Sequence, residues 1–98
     1  MDFCLRYTQR ALNDLAQIIG YIAEDDTAGA SRFGSSLLDH LELLTRFPRM
    51  GSPIARRPQV RKLLHRQILV YYQIHDAKRI IEVLHLRHAS RKPPKSLR

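Results

Sequence analysis

Near the end of the chain His85, Arg87 and His88 fall within four residues, and Arg61 stands upstream of them. Imidazoles exchange protons near neutral pH, and guanidinium groups hold phosphate oxygens through paired N–H donors. Together they hold the parts of a metal-independent RNA cleavage. That reaction needs a base for the 2′-hydroxyl, cations for charge developing on the phosphate, and an acid for the leaving oxygen. On a strand, His85 and Arg87 project to one face and His88 to the other, with Arg61 on a neighbouring strand completing a phosphate clamp. A plainer reading weighs more. His85 then closes the edge of the core, and Arg87 is a solvated charge or one that pairs with a partner. Histidines in an arginine-rich half lie close together by chance.

The elements that must position these groups centre on Ile68–Arg87, two apolar, β-rich runs around a polar turn, His75-Asp76-Ala77-Lys78. Ile68, Val70, Tyr72 and Ile74 recur at period two, and Ile80–Leu86 is rich in β-branched residues, so a hairpin is predicted with its turn type open. With Ile81, Val83 and His85 facing the core, Leu84 and Leu86 share the outer face with Glu82, an exposed apolar pair suited to a partner. Upstream, alternation over residues 2–7 predicts a first strand with Cys4 buried. Thr8 is placed to cap a helix over residues 9–23, whose stripe is Leu12, Leu15, Ile18, Ile19 and Ile22. Asp26 or its neighbours open a second helix over 28–46, with Ala30, Phe33, Leu37, Leu41 and Leu44 on one face. Gly29 and Gly34 are small enough to let the two helices approach closely. Pro48 ends that helix, and Gln59–His65 reads as another strand. The order β-α-α-β-β-β implies an α+β fold, an antiparallel sheet of four strands with a two-helix hairpin packed on one face.

Ninety-eight residues make one domain, residues 1–90, followed by a basic tail over 91–98. No apolar run approaches the roughly 20 residues that span a bilayer, and the N-terminus lacks the pattern of a signal peptide, so a cytoplasmic protein is expected. The single cysteine excludes an internal disulfide, no metal-ligand spacing surrounds it, and no cofactor is implied. Seventeen Lys and Arg against nine Asp and Glu give a net charge of +8, concentrated from Arg46 onward and including Arg91 and Lys92. Such an excess favours polyanions or an acidic protein; without aromatic residues interleaved among the basic ones, the protein partner is preferred.

Several stretches are familiar together: YIAEDD at Tyr21–Asp26, LLTRFPRMGSP at Leu43–Pro53, and VYYQIHDAKRIIEVLHLRH at Val70–His88. With the element order they resemble the ParE/RelE superfamily of toxins from bacterial type II toxin–antitoxin modules, also known as plasmid stabilisation proteins. The resemblance spans about residues 3–90. It implies a cognate antitoxin, a toxin–antitoxin hetero-oligomer, and one of two activities. ParE-like members carry a long helical hairpin and a degenerate nuclease site, and several poison DNA gyrase. RelE-like members cut mRNA on the ribosome. The Tyr21–Asp26 and Phe47–Pro53 segments are similar to the first kind, and no tyrosine follows Tyr72, so a residue typical of the second has no counterpart. The expectation is a ParE-like toxin that contacts its target through Arg61, Leu84, Leu86, Arg87, Arg91 and Lys92. The alternatives are a RelE-like endoribonuclease using Arg61, His85, Arg87 and His88, and a small non-toxic nucleic-acid-binding module.

Overall fold

The computed structural model describes residues 2–90. The chain runs β1 (Cys4–Tyr7), α1 (Gln9–Asp25), α2 (Thr27–Glu42), a short 3-10 turn (Leu43–Thr45), β2 (Ser52–Ile54), β3 (Arg57–His65), β4 (Ile68–His75) and β5 (Ile80–His88). This is the expected α+β order. The sheet has five strands, ordered β1-β5-β4-β3-β2, and it is mixed, because β1 lies parallel to β5 while the other pairs are antiparallel. β2 is the strand that alternation did not reveal; three residues, one of them Pro53, are too few to show a period.

Local chemistry starts and stops the helices. Thr8 caps α1, its Oγ1 accepting from Ala11 N at 3.0 Å. Asp26 ends α1 by donating its N–H to Ile22 O and begins α2 by accepting from Gly29 N at 2.8 Å. One residue therefore closes one helix and opens the next, so the hairpin has almost no loop. A Cβ at Gly34 would sit 3.3 Å from Ile19 Cδ1, which bears out the close approach of the two helices.

The α2 stripe is buried as predicted: Ala30 is sealed, and Phe33, Leu37, Leu41 and then Leu44 pack in one cluster with Val70, Tyr72, Ile81 and Val83. Each large side chain sealed here stabilises the fold by about 1.5–3 kcal/mol relative to exposure. The α1 stripe is different. Leu15, Ile18, Ile19 and Ile22 are only partly buried, and Leu12 is 44% exposed. α1 therefore overhangs the sheet and keeps part of its apolar side open.

Three expectations need correction, for Cys4, Leu86 and His85. Cys4 is exposed. Its register partner is Ile80, whereas Leu5 and Tyr7 oppose Ile81 and Val83, so the alternation that buries Leu5 and Tyr7 turns Cys4 and Arg6 outward. Leu86 is 2% exposed, in the core and not on the outer face. The cause is a bulge. Tyr71 opposes His85 but Tyr72 opposes Val83, so Leu84 is an extra residue and the facing of all that follows is reversed. Leu84 keeps its outward position, packing beside Tyr71 and Val60. His85 turns away from the core face on which Val83 lies.

Candidate functional site

Where α1 overhangs the far end of β4 and β5, a groove of about 1130 Å³ opens. Ile18, Ile22, Phe33, Ile68 and Leu86 supply its apolar lining, and Arg10, Asp14, Arg66, His85, Arg87 and His88 its polar and basic lining. The α1 contribution is a second stripe: Arg10, Asp14, Gln17 and Tyr21 recur at three and four beside the apolar one. The β3–β4 turn brings in Arg66, whose φ of 56° places an arginine in the left-handed region usually left to Gly or Asn.

The bulge sets the chemistry of the rim. It leaves the Leu86 N–H without a strand partner, and Asp14 Oδ2 accepts from it at 3.1 Å. The same oxygen lies 2.7 Å from His85 Nδ1. Asp14 faces that nitrogen as a charge partner, and among the described residues the nitrogen meets no other acceptor. Burial lowers the His85 pKa, with Arg10 and Arg87 acting in the same direction and Asp14 opposing them. His85 is therefore a neutral imidazole at pH 7, sealed at 7% exposure. Its ring lies beside Tyr71, centroids 5.9 Å apart. Arg87 donates twice to Tyr71 Oη, at 3.0 and 3.2 Å, and to His88 O at 2.9 Å.

His85, Arg87 and His88 thus line one groove, with His85 and Arg87 on one face of the sheet and His88 opposite Ile68 on the other. Arg61 does not join them. It opposes Tyr72, on the helix-covered face, and its Nη1 donates to Gly51 O at 2.6 Å and Arg49 O at 3.3 Å. Its guanidinium steadies a loop, and the expected phosphate clamp with Arg87 is not assembled. Arg91 and Lys92 lie outside the described residues. Sequence reasoning missed Asp14, which lies off the apolar stripe of α1, and Tyr71, which holds Arg87. The stripe Arg10-Asp14-Gln17-Tyr21 was the signal available for the first. Among the described residues no helix is long and apolar enough to cross a membrane.

Solved structures of similar fold include proteins of bacterial toxin–antitoxin modules. The chromosomal ParDE system of P. aeruginosa matches at 18% identity and a TM-score of 0.75, covering 90% of this chain and 97% of that one. The RelBE2 toxin–antitoxin complex of Mycobacterium tuberculosis matches at 21% and 0.63, covering 90% and 99%. The isolated E. coli RelE toxin matches at 22% and 0.59, covering 92% and 87%. No curated protein sequence matches the chain. The model of the ParE toxin of the type II toxin–antitoxin system, parDE, matches residues 5–93, and the chain belongs to that family.

Proposed function

We propose that this ParE-family toxin arrests growth by binding a large target, with DNA gyrase the expected one, and that a cognate antitoxin silences it in the cytoplasm. The placement of Arg61 carries the reading. A nuclease of the kind outlined above needs its cations and proton carriers around one phosphate, and Arg61 is bound to carbonyls on the opposite face from Arg87. What remains is an apolar groove edged with cations, which suits an amphipathic acidic segment laid along α1 better than a bare phosphate chain. The antitoxin occupies that groove and covers Arg87 and His88. Target contact falls to Leu84, Arg87, Arg91 and Lys92. Supercoiling by purified gyrase should stop at a toxin level that leaves cell-free translation running. Uninhibited gyrase would refute the assignment of the target.

A second reading, the ribosome-dependent endoribonuclease, draws support from one observation, the carboxylate of Asp14 beside a neutral His85 in an open groove. It requires mRNA cut only in the presence of ribosomes, and cleavage lost in His85→Ala/His88→Ala. Cleavage retained in that variant would remove both histidines from the mechanism.

A further inference from the structure

At the other end of the sheet a short loop carries Phe47, Pro48, Arg49 and Met50 around a shallow concavity. Phe47 is 58% exposed and Met50 38%, two large apolar side chains left in solvent within four residues. The loop is held firmly from below. The Tyr72 hydroxyl, on a side chain of zero exposure, donates to Pro48 O at 2.6 Å and accepts from Gly51 N at 2.9 Å. Arg61 donates to the carbonyls of Gly51 and Arg49. Met50 N closes the turn on Phe47 O at 3.1 Å. A Cβ at Gly51 would fall 2.6 Å from Lys62 O and 2.9 Å from the Tyr72 ring, so the backbone is pressed directly against the sheet. Fixing an exposed aromatic ring in this way removes in advance the ordering cost that binding would otherwise incur.

We infer that the Phe47–Met50 loop is a docking surface for an acidic protein, an apolar anchor set into a socket ringed by carboxylates. Aromatic residues, Met and Arg are the types enriched at the centre of protein interfaces, and here they occur together. Charge selects the partner. Arg46 and Arg49 flank the ring, and their present partners, Asp2 at 4.0 Å and Asp76 at 3.4 Å, are exposed surface carboxylates that a partner's own can replace. Location selects its role. The loop meets Asp76 of the β4–β5 turn, whereas the groove is built around Ile68. The loop rests on the β3 side of β4, Gly51 against Lys62 and Tyr72, while the groove opens towards α1 and β5, and the two share no lining residue. An antitoxin segment in the groove does not account for the loop, so the loop is assigned to the target. The inference rests on the toxin reading above.

The test compares the full wild-type chain with Phe47→Ser/Met50→Ser and with Arg49→Glu. Inducible growth arrest, thermal melting, mass by light scattering, and binding to purified DNA gyrase and purified 70S ribosomes are measured. Both variants alter exposed side chains and should melt within a few degrees of wild type. Each should need roughly tenfold more inducer to arrest growth, with a loss of about the same size towards whichever probe the wild type binds. Arrest undiminished in Phe47→Ser/Met50→Ser overturns the loop assignment and leaves the toxin reading standing. Full activity of Arg49→Glu removes the acidic partner. A wild-type dimer that becomes monomeric in the loop variant gives the surface to a second copy, which also overturns the inference. If the wild-type chain arrests nothing, the toxin reading itself fails and the inference fails with it.

Discussion

The hydroxyl of Tyr72 ties the loop between Pro48 and Gly51 to the middle of the core, and its removal isolates the effect. In Tyr72→Phe the ring still fills its site, but the buried Gly51 N–H loses its acceptor and Pro48 O its donor. Stranding buried polar groups costs about 1–3 kcal/mol, which urea denaturation would register as a lower midpoint at unchanged slope. Tyr71→Phe makes the contrast: its bonds to Arg87 are half-exposed, and about 0.5–1.5 kcal/mol is expected. His65 is the residue through which pH acts. It is buried beside Phe33, with His40 Nδ1 2.8 Å from its own Nδ1 and Ser36 Oγ 3.3 Å from its Nε2. The short contact holds one proton between the two Nδ1 atoms, one imidazole donating and the other accepting; a proton on each Nδ1 would set two N–H groups face to face. Burial chiefly, then His40 and Arg66, lowers the His65 pKa, and burial lowers that of His85. A depressed folded value means that the unfolded chain takes up protons first as pH falls. Stability is thus fully present above the ordinary histidine value of 6.5 and declines below it, until the folded-state values are passed. The melting temperature should hold from pH 7.5 to about 6.5 and fall from there to pH 5.5, and His65→Gln should flatten that fall. An unchanged slope would place the proton-linked loss elsewhere.

The bulge in β5 shows how one element settles the fate of another. Thr8 N donates to Val83 O where the β1–β5 ladder ends, and the start of α1 then satisfies groups beside the inserted residue, Thr8 Oγ1 donating to Leu84 O and Asp14 accepting from Leu86 N. Thr8 is both helix cap and strand staple, so Thr8→Ala should lie at the upper end of the capping range, about 2 kcal/mol. Asp14→Ala should cost about 1–3 kcal/mol, while Asp14→Asn, which keeps an oxygen for Leu86 N, should cost clearly less; equal losses would mean that charge and not acceptance matters. The strands of the hairpin and the α2 stripe were legible because burial on one side imposes a period of two or 3.6. The bulge was not, since no residue type marks the place where a strand gains a residue, and one uncounted residue moved Leu86 indoors and His85 to the opposite face. The parallel pairing of β1 with β5 was equally hidden, because it joins segments more than seventy residues apart and leaves no local trace. The facing of Cys4 was readable. Phe3, Leu5 and Tyr7 already occupied the inner positions, and alternation left Cys4 outside with Arg6.

At the scale of the molecule the charges divide as the layers do. Residues 1–45, which hold both helices, carry three Lys and Arg and seven Asp and Glu, a net −4; residues 46–98 carry fourteen and two, a net +12. The groove lies where these halves meet, with its apolar lining taken from both α1 and the sheet. Encounter and retention should therefore respond to different changes. For an acidic antitoxin seated in the groove as proposed, long-range attraction from the sheet half would set how often it arrives, screened once the Debye length drops from ~10 Å at 0.1 M salt to a few ångströms. The apolar lining is short-ranged and sets how long the partner stays. Stopped-flow association with the antitoxin should slow by about tenfold between 0.05 and 0.5 M salt while dissociation changes little. Ile22→Ser, which removes lining and no charge, should speed dissociation by about tenfold and leave the salt dependence of association as it was. If salt altered the two rates alike, or if Ile22→Ser slowed arrival instead of hastening departure, then the cations around the groove and the side chains lining it would not divide the work in this way.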